Sequence, residues 1–174
     1  MHVLRIPIVN VLVTLTLVIA ADRGPASSAI PAGQPVDGIR CEASEGVAMH
    51  IHPHLTIVDH GKPIRIPEDV GRPLGARCLY WLHTHSPDGI VHIESPKVQT
   101  FTLGQFMDVW GEALTKADAA GAKPRKGETV RVYVQGRPYA GDPRNIEFTQ
   151  HLDIVVIVGP PYRVPAPFTA WKGN

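Results

Sequence analysis

Six of the nine histidines in this 174-residue chain fall in two short stretches. The first is His50-Ile51-His52-Pro53-His54. The second is His83-Thr84-His85, followed after a turn by His92-Ile93-Glu94. A divalent transition metal takes three or four nitrogen or oxygen donors at about 2 Å, converging from different directions. Histidine at every second position of a strand supplies two such donors on one rigid face, and a neighbouring strand supplies the rest. The expected ligands are His52, His54, His83, His85 and His92, with Glu94 as an accessory ligand or a base behind the others. With His50, seven donors exceed what one ion requires. Either there are two sites, or some of the histidines orient others.

Strand alternation places His50, His52 and His54 on one side, with Ile51, Leu55 and Ile57 on the other. In the second cluster, Ser86-Pro87-Asp88-Gly89 has the residue types of a type I turn, so LYWLHTH (79–85) and IVHIE (90–94) should fold back on each other. Pairing His85 with Ile90 sets His83 directly across from His92, with Cβ atoms about 5 Å apart. Glu94 then lies opposite Trp81. A slip of one residue would turn every side chain to the other face. Asp88 reads as a turn residue. His60 in a turn, His151 before a strand and His50 at a strand end fit an ordinary solvated or hydrogen-bonded role.

Three functions suit such a face. One is a metal-binding protein that buffers or delivers copper or zinc, with iron as a further candidate. Another is a mononuclear metalloenzyme, a cupin-like oxygenase or a zinc hydrolase, with Glu94 as acid/base and a pocket lined by Trp81 or Tyr80. The last is a non-catalytic interaction domain whose imidazoles charge and repel at mildly acid pH. Only Met49 and Met107 follow the first twenty residues, so the thioether clusters that suit Cu(I) trafficking are missing. No phosphate-binding loop, dinucleotide fingerprint or His-Glu-x-x-His motif occurs. The charge balance, 17 Lys+Arg against 16 Asp+Glu, excludes a broad basic surface for nucleic acid.

Residues 1–20 read as a signal peptide: Arg5, then an apolar run shorter than the roughly 20 residues of a stable span, then small residues near Ala20. Membrane contact would come only through that segment if it stays uncleaved. The protein is expected to be exported, periplasmic or secreted. Cys41 and Cys78 then pair as a disulfide, the alternative being thiolate ligands. Residues 21–40 form a Pro/Gly/Ala/Ser-rich leader, 41–159 a single His-rich domain, and 160–174 an extended Pro-rich tail pinned by Phe168 and Trp171.

HLTIV (54–58) and PIRIP (63–67) read as a hairpin, TVRVYV (129–134) as a strand before Gln135-Gly136, and LDIVVIVG (152–159) as a strand buried on both faces. Thr102 and Gln105 make a capping box. Leu103, Phe106, Met107, Trp110 and Leu114 share one face, so a helix should run from there to Gly121 and Pro124. The expected class is α+β: a small, mostly antiparallel β domain of hairpins packed on one main helix, in a β-grasp-like arrangement.

HIHPHLTI (50–57), LHTHSPDGIVHIESP (82–96) and FTLGQFMDVWG (101–111) resemble an uncharacterised family of exported bacterial proteins that shares these motifs over about residues 45–160. The resemblance implies that the histidine face is a site. It implies no activity.

Overall fold

The computed structural model describes residues 33–171. The expected signal peptide and most of the leader lie outside these residues. Among the described residues strand outweighs helix, 32 % against 8 %, and the strands form three sheets. The fold is therefore mostly β, which corrects the expectation of an α+β domain built on a main helix.

The helix itself explains the difference. α1 (Leu103–Trp110) begins as read: Thr102 accepts from the Gln105 backbone N–H while the Gln105 side chain returns to the Thr102 N–H. It then stops after eight residues. Gly111 takes a left-handed conformation (φ 80°) and donates its N–H to the carbonyls of Met107 and Asp108, closing the C-terminus. Leu114 is buried, but from a loop where it bridges to Ala119. The apolar period continues past the glycine without the helix.

Five strands make the largest sheet, in the order β4 (Lys62–Ile64), β3 (His54–Asp59), β10 (Asp153–Val158), β8 (Val130–Val134), β9 (Arg137–Tyr139). β10 is central, parallel to β3 and antiparallel to β8, and all six of its residues are buried. An apolar run fits that position because both of its faces are covered. The flanking hairpins turn through His60-Gly61 and Gln135-Gly136, each pair with positive φ, as a two-residue turn of the primed type requires.

A three-stranded sheet carries the histidines: β2 (Met49–Ile51), β7 (His92–Ser95) and β6 (Leu82–His83), with β7 in the middle. Its register pairs Ile51 with Ile93 and Ile93 with Leu82. That apolar row turns into the main core, where Leu82 and Ile93 are fully buried and α1 lies near β6. Burying each such side chain contributes roughly 1.5–3 kcal/mol. A small third sheet pairs β1 (Cys41–Glu42) with β5 (Leu79–Tyr80), and the Cys41–Cys78 disulfide joins the two chain segments beside it. Val36 and Ile39, from the end of the leader, are buried in the same core. No helix among the described residues is long and apolar enough to cross a membrane.

Candidate metal centre

Because opposed residues in an antiparallel ladder share a face, the register that buries Ile51, Ile93 and Leu82 turns their neighbours the other way. His50 stands opposite Glu94, and His83 opposite His92. His52 and His85 follow two residues beyond His50 and His83. The five imidazoles form a continuous cluster: ring centroids are 4.6 Å apart for His50–His52 and His52–His92, 4.4 Å for His85–His92 and 4.7 Å for His83–His85.

Glu94, on the central strand, reaches all three strands. Its Oε1 lies 3.1 Å from His50 Nε2, 3.4 Å from His92 Nδ1 and 4.0 Å from His85 Nε2. Its Oε2 lies 3.8 Å from His83 Nε2. A further carboxylate arrives from the loop before β2, with Glu45 Oε1 3.8 Å from His85 Nε2. The loop holds Glu45 there because it runs tight against β7: Gly46 and Ala48 donate to the carbonyls of Glu94 and Ser95. A Cβ on Gly46 would collide with the backbone of Ser95 and Pro96.

Hydrogen bonds fix how the rings present themselves. His83 Nδ1 donates to the Tyr80 carbonyl at 2.8 Å, which leaves the Nε2 lone pair facing the cluster. A ligating histidine commonly has its other ring nitrogen tied in this way. His83 Nε2 and His85 Nε2 lie 3.0 Å apart. Two ligands on one tetrahedral ion with bonds near 2 Å stand about 3.3 Å apart, so the pair is close to ligand spacing. Thr84, between them and fully buried, locks the segment. Its hydroxyl donates to the Pro67 carbonyl and accepts from the Val70 N–H.

The clearest sign that the cluster is built for something else to enter is His52. Both of its ring nitrogens are buried without a hydrogen-bond partner among the described residues. His92 Nδ1 and Glu94 Oε2 are likewise buried and unsatisfied. Leaving a buried polar group unpaired costs roughly 1–3 kcal/mol, so several in one place call for a shared partner.

The electrostatics agree with lone pairs held ready. Burial, reinforced by neighbouring imidazoles, pulls His52 and His83 down to about 4 and His92 to about 3, and lowers His85. These rings are neutral at neutral pH and need lose no proton to bind a cation. Glu94 moves the other way, to about 7, chiefly through burial and then through the adjacent Glu45. A metal ion would offset the cost of ionising it.

Of the expected ligands, His52, His83, His85, His92 and Glu94 converge. His54 does not. β2 ends at Ile51, the His52 N–H turns to Gln150 Oε1, and after Pro53 His54 begins β3 in the other sheet, where Nδ1 donates to Asp153 Oδ1 at 2.9 Å and Nε2 faces the Asp88 carbonyl at 3.1 Å. Both ring nitrogens of His54 are thus engaged by Asp153 and Asp88, away from the cluster. Its ring stacks on Phe168 of the tail at 3.7 Å, and Trp171 packs against His151. Two cluster members lie outside the expected ligand set. His50 is half-exposed but paired with Glu94. Glu45 sits in a Ser-Glu-Gly loop with no pattern to mark it. Trp81 and Tyr80 do not line the cleft beside the cluster: Trp81 is buried against Phe101, and Tyr80, whose hydroxyl donates to the Gln34 carbonyl, borders a separate cleft with Val70, Val109 and Trp110.

Both cysteines are in the disulfide, so the donor set is nitrogen and oxygen only. Such a set fits Cu(II), Zn(II) or Fe(II). On its Glu45–His85 side the cluster borders an open cleft of about 590 Å³ that also carries Arg72. Compared with protein-family models, curated proteins and solved structures, the chain gives no match.

Proposed function

We propose that this protein is an exported transition-metal-binding protein that buffers or delivers copper or zinc outside the cytoplasm through the histidine face of the β2–β7–β6 sheet. The observation that carries the proposal is the buried, unpartnered His52 ring within a cluster of neutral imidazoles around Glu94. Imidazole and carboxylate donors suit Cu(II) and Zn(II), with Fe(II) as a further candidate. The disulfide suits an oxidising compartment, which supports export. Membership of the exported bacterial family whose motifs the chain resembles is part of the proposal.

The test is elemental analysis of the protein without a histidine tag, after desalting and again after chelation and reloading. The expected result is copper or zinc retained in both preparations and lost in a His50→Ala/His52→Ala/His83→Ala/His85→Ala variant. A wild-type protein that holds no metal after reloading, and whose melting temperature does not respond to Cu(II) or Zn(II), overturns it.

A second reading, metalloenzyme catalysis, draws on the cleft beside Glu45 and His85, which would admit a substrate to the open side of the centre. In that reading Glu94, held near neutrality by burial, is the acid/base. A bound ion coordinated entirely by protein groups, with no exchangeable water, removes it.

A further inference from the structure

We infer that the histidine face holds two metal ions side by side, with Glu94 as the ligand they share. This deepens the metal-binding proposal and rests on it.

The donors divide into two overlapping sets. His50, His52 and His92 converge with Glu94, and Glu45, His83 and His85 converge with the same Glu94. Within each set the ligand atoms lie within 4.8 Å of one another. Each set alone offers the four donors that fill a tetrahedral site. Together they offer seven protein groups, more than any common geometry of these ions accepts from side chains.

Glu94 is placed to serve both sets. Its Oε1 is nearest His50 and His92, at 3.1 and 3.4 Å, while Oε2 is nearest His83 at 3.8 Å. A carboxylate whose two oxygens face different ligand sets is the usual bridge in centres where two ions stand roughly 3.5–4 Å apart. Oε1 also lies 4.0 Å from His85, so the sets meet at this residue. The central strand explains why. β7 is flanked on both sides, so a side chain at its midpoint is shared by the donors of β2 and those of β6. Charge points the same way. Two divalent ions would stand against the carboxylates of Glu94 and Glu45, and the cleft at Glu45 leaves room for a hydroxide or small anion to balance the remainder.

The experiment is titration of the metal-free protein with Cu(II), counting bound ions after gel filtration and measuring electron paramagnetic resonance at saturation. The expected result is saturation at two equivalents, with a resonance intensity far below that of two isolated ions because the bridged pair is magnetically coupled. His83→Gln/His85→Gln and His50→Gln/His52→Gln should each retain one equivalent with the full signal of a single isolated ion. Saturation of the wild type at one equivalent overturns the paired centre and leaves the metal-binding proposal standing. Two equivalents with the full signal of two isolated ions overturns the shared ligand. No bound ion overturns both.

Discussion

His54 and Asp153 stand opposite each other in the parallel β3–β10 ladder, with Nδ1 donating to Oδ1 at 2.9 Å, both side chains buried. The other carboxylate oxygen, Oδ2, accepts from the Phe168 N–H at 3.2 Å, so this pair also holds the C-terminal tail against the sheet. Removing the imidazole leaves a buried carboxylate without its partner, which costs about 3 kcal/mol. His54→Leu should therefore lower the melting temperature while leaving the metal complement of the folded protein unchanged. Loss of metal with unchanged stability would place His54 back among the ligands.

Thr84 is the positioning residue of the second cluster. Thr84→Val keeps the shape but leaves the Val70 N–H and the Pro67 carbonyl unsatisfied, at a cost of about 1–3 kcal/mol. The expected outcome is a folded protein with metal affinity weakened about tenfold, since misplacing supporting groups commonly costs ten- to a hundredfold. Affinity equal to wild type in a competition titration would show that His83 and His85 hold their places without it.

The metal-free protein should be acid-labile. His52, His83 and His92 titrate near 4, 4 and 3 when folded against 6.5 when unfolded, so the unfolded chain takes up protons first. Their contribution is complete above pH 6.5 and is lost as pH falls from there toward 4. Glu94 opposes them: folded near 7 and unfolded near 4.5, it favours the folded state at low pH and loses that contribution as pH rises through 7. Three histidines outweigh one carboxylate, so the melting temperature should fall between pH 6.5 and 4.5. A flat or rising profile in chelator-treated protein would contradict this burial.

His60 makes the opposite kind of pair. It sits at the turn of the β3–β4 hairpin with Nδ1 donating to Asp59 Oδ1 and Nε2 to Glu128 Oε2, and these two carboxylates raise its pKa. Its contribution is complete below pH 6.5 and is lost as pH rises through the raised value. Asparagine tolerates the positive φ of 47° at this position but cannot carry the charge. His60→Asn should therefore be less stable than wild type at pH 6, with the difference shrinking at pH 9. A difference independent of pH would assign the effect to packing.

Much of the centre is legible in the sequence, for identifiable reasons. The turn at Ser86–Gly89 and the alternation on either side fix the register that sets His83 against His92. The capping box at Thr102 and Gln105 marks the start of α1 as observed. What misleads is local. β2 ends at Ile51, ahead of Pro53, so the His50-x-His52-x-His54 alternation breaks and His54 joins another sheet. At the helix end, Leu114 continues the apolar period past Gly111, although only the glycine decides where hydrogen bonding stops. Glu45 is beyond sequence reasoning, because its place depends on how its loop lies along β7. The α+β expectation fails with the helix: α1, eight residues long, gives the main core only Leu103, Phe106 and Met107, while the strands and the loops between them supply the rest.

The most direct test of the histidine face as a metal centre is anomalous diffraction from crystals of the zinc- or copper-loaded protein, recorded at the metal edge. Strong anomalous density is expected beside Glu94, within bonding distance of nitrogens from His50 or His52 on one side and His83 or His85 on the other. Anomalous density only elsewhere on the surface, with the five imidazoles and Glu94 uncoordinated, would contradict it.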